Sequence, residues 1–144
     1  MKKMMFSVVV LLLTITTAIA QTTPCDKKVV YHSEKQELVD TDGQVADSKT
    51  DVIDIEVSKE AISVSVNGEG TKLTGTVKEV TCEWKTPYQE GKVTYKVTFA
   101  KDSGEASEGS LTIEAKEGKI TALFTIEAMN GKKLRALVSN YTEK

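Results

Sequence analysis

From residue 50 onward the chain alternates apolar and polar residues. Ile53, Ile55 and Val57 are separated by Asp54 and Glu56, and Ile62, Val64 and Val66 by Ser63 and Ser65. A period of two marks a strand with one buried face. The same pattern recurs in Val93, Tyr95, Val97 and Phe99, in Leu111, Ile113 and Ala115, in Ile120 to Ile126, and in Leu134, Ala136 and Val138. Leu73, Gly75 and Val77 lead a strand that changes phase to Val80, Cys82 and Trp84, which predicts a β-bulge near Lys78-Glu79. Asn67-Gly68 and Asn130-Gly131 accept the positive φ that tight turns require. Thr86 to Gly91 and Lys101 to Gly109 read as loops.

Residues 21–50 differ. Val29-Val30-Tyr31 reads as a short strand, whereas Ser33 to Thr50 is polar apart from Leu38, Val39 and Val45 and reads as a loop or a short helix. No segment has a helical period of useful length. Seven amphipathic strands without a helix to cover them must cover themselves. Short connections favour up-and-down order. The expected fold is all-β: a single antiparallel up-and-down meander of seven or eight strands, closed into a small barrel or a flattened clam.

The start of the chain reads differently again. Met1-Lys2-Lys3 is basic, Phe6 to Leu13 is apolar, and Ala18-Ile19-Ala20 is a small-x-small box. That order predicts a secretory leader over residues 1–20, cleaved after Ala20, and export to a bacterial periplasm or the exterior. The apolar run is too short for a membrane span. Pro24 beside Cys25 does not fit a lipid-attachment box, so Cys25 belongs to the mature domain, residues 21–144. Only Cys25 and Cys82 are present, and in an oxidising compartment such a pair is expected to form a disulfide.

Charge excludes one partner class. The chain has 19 Lys and Arg against 21 Asp and Glu, scattered without a basic patch, so no nucleic-acid partner is expected. Chemistry is thin as well. His32 is the only histidine, and the sequence supplies it with no orienting partner. Asp40-Thr41-Asp42-Gly43 fails as a calcium loop, because Lys49 does not serve as a ligand. Two Cys and one His make no zinc set. No enzyme activity, metal or cofactor is expected.

The remaining candidates bind rather than react. Arg135, the sole arginine, shares its alternation phase with Leu137, Ser139 and Tyr141, opposite Leu134, Ala136 and Val138. An inward Arg135 and Tyr141 could hold a carboxylate. The more uniform apolar face predicts the other register, with Arg135 in solvent. In its strand pattern over residues 50–144 the chain resembles the intracellular fatty-acid-binding proteins and lipocalins, up-and-down barrels of similar length. Their Arg-x-Tyr and Gly-x-Trp motifs are absent. The resemblance implies a barrel that binds a small apolar or amphipathic ligand. Trp84 and Tyr88 flank a Pro loop and could grip a ligand or a partner, or pack in the core beside the disulfide. The alternative function is a solid-core protein-interaction module, such as an inhibitor or envelope accessory. Core volume separates the two.

Overall fold

The computed structural model describes residues 23–144; the leader read over residues 1–20 lies outside the described residues. Nine strands follow in order: β1 (Val29–Val39), β2 (Val45–Lys49), β3 (Ile53–Val57), β4 (Ala61–Val66), β5 (Thr71–Thr86), β6 (Glu90–Lys101), β7 (Ala106–Lys116), β8 (Lys119–Ile126) and β9 (Lys133–Glu143). All pairings are antiparallel. From β3 to β9 each strand pairs with the next, and β9 returns to β1, which closes an eight-stranded barrel. The ninth strand, β2, pairs only with the far half of β1.

Two sequence expectations need correction. The polar stretch 33–50 is neither loop nor helix: β1 continues to Val39, turns at 40–44 and returns as β2. Its alternation is hard to see because β2 is exposed at all five positions and buries no face. Asp40 holds the turn, its carboxylate accepting from the N–H groups of Asp42 and Gln44. The loop expected over 101–109 is shorter, because β7 starts at Ala106 and pairs Ala106 to Gly109 with β6. The bulge read near Lys78-Glu79 is present: the β5–β6 register shifts between Val77 and Glu79. The Asn67-Gly68 turn has both residues at positive φ, 52° and 71°.

The inward alternation positions form one core. Ile55, Val97, Leu111, Ile113 and Ala122 are fully enclosed, with Tyr31, Phe99 and Phe124 among them. Phe99 needs space on both sides. Gly75 stands opposite it on β5, and a Cβ there would strike Val97 and Phe99. Gly109 on β7 leaves room against the other edge of the same ring. These inward side chains form one contiguous hydrophobic cluster.

Candidate functional site

The hairpins divide the barrel's connections between two mouths. At one lie the turns 58–60, 87–89 and 117–118 with both ends of the described chain. At the other lie 40–44, 67–70, 102–105 and 127–132.

Trp84, Tyr88 and Tyr141 meet at the first mouth. The ring of Tyr88 stacks on Tyr141 at 4.3 Å between centroids and tilts against Trp84 at 5.6 Å, while Tyr31 lies 6.4 Å from Tyr141. The turn Thr86-Pro87-Tyr88-Gln89 aims Tyr88 inward. The Gln89 N–H donates to the Thr86 carbonyl at 3.0 Å, with Pro second and positive φ third, as in a type II turn. Tyr88 occupies that third position at φ 59°, where glycine is usual. Its side chain is buried, and its hydroxyl has no hydrogen-bond partner of good geometry. Burial, and then the nearby Glu143 carboxylate, push the Tyr88 pKa upward. This mouth is plugged.

A strap, residues 23–28, runs over the plug. The Cys25–Cys82 disulfide ties it to β5, with Cα atoms 6.0 Å apart. Ion pairs fix the rest: Asp26 to Lys59 at 2.6 Å, Lys27 to Glu143 at 2.6 Å, and Lys28 to Glu56 at 2.7 Å. The cations hold these carboxyl groups below their ordinary values: Lys59 acts on Asp26, Lys28 and Lys144 on Glu56, and Lys27 on Glu143.

Arg135 stands apart. Leu134, Ala136 and Val138 pair with inward residues of β8 and pack on the core, so Arg135 points outward, as the apolar face predicts. It is not free in solvent. Its Nε and Nη2 donate to one Glu37 oxygen at 2.9 and 2.5 Å, and Lys35 reaches the other at 3.1 Å. Both contacts hold the Glu37 carboxyl below its usual range, Arg135 more strongly. The shared face read for Arg135 and Tyr141 is a third correction. The β1–β9 register slips at Ser139, so Val138 and Tyr141 fall on the same inward face. The buried Ser33 hydroxyl closes this irregularity, lying 2.7 Å from the Leu137 carbonyl and 2.8 Å from that of Lys35. Arg135 and Tyr141 therefore cannot grip one carboxylate.

The opposite mouth holds a hollow of about 320 Å³. Leu73, Phe99, Ile126 and Ala128 give it apolar walls, and Lys101 and Glu105 stand at its rim. Lys101 makes no ion pair among the described residues. Sequence reading missed this site. The one signal along the chain was the alternation of Val97 and Phe99 ending on a cation, Lys101; Leu73 comes beside it only through the β5–β6 register.

His32 does have a partner. Its Nδ1 bonds the Asp54 carboxylate across β1 and β3, on the outer face. On the β9 side it is flanked by Asn140, which is no nucleophile. The pair lines a shallow outer groove of about 510 Å³ with Glu56, Ser63, Ser65 and Lys144. A histidine oriented in this way is half of a general-base arrangement; among the described residues no hydroxyl or thiol is hydrogen-bonded to its other ring nitrogen. Among the described residues no cluster of three or more His, Cys, Asp or Glu could hold a metal ion, and no helix is long and apolar enough to cross a membrane.

No protein-family model matches the chain, and neither a characterised protein nor a solved structure does.

Proposed function

We propose that this is an exported, non-enzymatic barrel that takes a small amphipathic anion at its open mouth, not deep in its interior. The hollow of about 320 Å³ between Leu73, Phe99, Ile126 and Ala128 carries the reading. Its size and lining suit a small ligand: mostly apolar walls with few polar groups at the edge. Lys101 supplies an unpaired ammonium for a carboxylate or sulfonate head, while the tail lies on Phe99 and Ile126. The disulfide and the basic-apolar-small leader support export. The single contiguous cluster of inward side chains supports a second reading, a solid-core interaction module that works through its outer surface.

Native mass spectrometry of exported protein separates the two: a co-purifying amphipath supports the first reading, a clean apo mass the second. Titration with decanoate, followed by amide shifts, locates the site. Shifts should cluster on Leu73, Lys101, Ala106 and Ala128, Lys101→Glu should weaken binding at least tenfold, and Ala128→Trp should abolish it by filling the hollow. Shifts confined to the Tyr88 mouth, or none at millimolar ligand, would reject the open-mouth site.

A further inference from the structure

β2 has an unpaired edge. β9 takes one edge of β1 along its whole length; on the other edge β3 pairs with Val29 to Ser33 and β2 with Gln36 to Val39, and no strand lies beyond β2 among the described residues. Two of the most exposed large apolar side chains, Val45 and Val52, bracket this edge. The Ser48 N–H is taken by the carboxylate of its own neighbour Asp47, at 2.9 Å. The Asp40 N–H reaches the Gln44 carbonyl across the hairpin, so the backbones of Leu38 and Gln36 face β2 and that of Glu37 faces away; Ser48, opposite Glu37, therefore presents its backbone to the open side. An edge of this kind is a template for another strand.

The sequence of β2 says which strand fits. When two identical strands pair antiparallel about a two-fold axis perpendicular to the sheet, inner and outer faces are kept only if a residue sits on the axis. For the short β2 this leaves three central registers, with Ala46, Asp47 or Ser48 on the axis. Ala46 is the extra residue of the irregularity in β2, and on the axis it would set Asp47 opposite Val45 without an ion pair. With Asp47 on the axis, two aspartates face each other, which is destabilising. With Ser48 on the axis, Asp47 of each copy faces Lys49 of the other, twice by symmetry. The same register brings the two outward-facing Ser48 backbones together for a reciprocal hydrogen-bonded pair. Charge and backbone polarity thus select one arrangement.

We propose that two copies of this chain pair antiparallel along β2, with Ser48 on the two-fold axis and Asp47 of each copy opposite Lys49 of its partner. The Asp47 carboxylate gives up the Ser48 N–H and takes the partner's ammonium in exchange. Short charged edge strands usually repel neighbours. This one alternates in sign, so it repels unlike strands and accepts its own copy. The pairing does not depend on what the open mouth binds, and its failure would leave that reading untouched.

Sedimentation equilibrium of the purified protein, from micromolar to millimolar concentration, tests it. A reversible dimer is expected, weak because one strand edge buries little area. Lys49→Asp places like charges opposite each other twice and should weaken the dimer about tenfold or more. Asp47→Lys should do the same. The double variant Asp47→Lys with Lys49→Asp restores both pairs and should return the dissociation constant to within about threefold of the parent. All these positions are exposed, and circular dichroism checks that each variant folds. A parent that stays monomeric at millimolar concentration would overturn the proposal. So would a dimer indifferent to the single changes, or capture of an unrelated strand peptide in place of a second copy.

Discussion

Tyr88 carries two costs that a single side chain rarely combines, and each can be removed separately. Its hydroxyl is buried with no partner at hydrogen-bonding geometry, although the Glu143 carboxylate lies close enough that each perturbs the other's proton affinity, and its backbone sits at φ 59°. A buried unpartnered hydroxyl costs about 1–3 kcal/mol. Tyr88→Phe deletes the hydroxyl and keeps the ring on Tyr141 and Trp84. The variant should gain about 1 kcal/mol, or about 4 °C in Tm for a domain of this size. Tyr→Phe changes at a satisfied hydroxyl go the other way. Tyr88→Ala and Tyr88→Gly isolate the backbone cost. Both lose the buried ring and should fall by about 3–5 kcal/mol. Glycine has no penalty at positive φ, so the Gly variant should be the more stable of the two by about 1 kcal/mol, the reverse of the usual order. Urea melts followed by the fluorescence of Trp84, the only tryptophan, report on this mouth directly. A less stable Tyr88→Phe would mean that the Glu143 carboxylate accepts from the hydroxyl. An Ala variant that outlasts the Gly variant would mean that the turn relaxes away from positive φ.

Three further outcomes follow from the same structure. Replacing both Cys25 and Cys82 by Ser opens a loop of 57 residues and should cost about 4 kcal/mol in the chain-entropy model, read as a lower urea midpoint than that of the oxidised parent. Arg135→Ala leaves the enclosed Glu37 carboxylate with Lys35 alone and should cost about 1 kcal/mol; a loss below about 0.3 kcal/mol would show that the pair is worth no more than an ordinary surface bridge. Acid should loosen the strap: the folded pKa values of Asp26, Glu56 and Glu143 lie below their ordinary 3.8 and 4.5, so their contribution is complete above about pH 5 and lost as pH falls through the depressed values. A urea midpoint that is level from neutral to about pH 3 would contradict this.

The parts of this fold that were legible in the sequence are those where burial acts on one side of a strand. Ile53, Ile55 and Val57, or Val93 to Phe99, announce themselves because the inward face excludes polar residues and the outward face tolerates them. β2 buries neither face, so its five residues carry no alternation, and only its pairing with β1 makes it a strand. The Lys78-Glu79 bulge was visible because apolar residues stand in both phases on either side of it. The slip at Ser139 was not, because Tyr141 is amphipathic and reads equally well on either face. That single residue decided the candidate site. In strict alternation Tyr141 follows Arg135 outward or inward and the two make a plausible carboxylate clamp. One extra residue in β9 sends Tyr141 to the mouth and leaves Arg135 to Glu37. Cross-strand neighbours were hidden for a related reason: the partners His32 and Asp54, Leu73 and Lys101, and Arg135 and Glu37 are separated by 22, 28 and 98 positions. Their meeting depends on register, which turn lengths and bulges set, and hydrophobic pattern constrains register only where a face is buried. On an outer face, where recognition takes place, the pattern is free to vary, so function on this barrel is written in the residues whose positions the alternation fixes least.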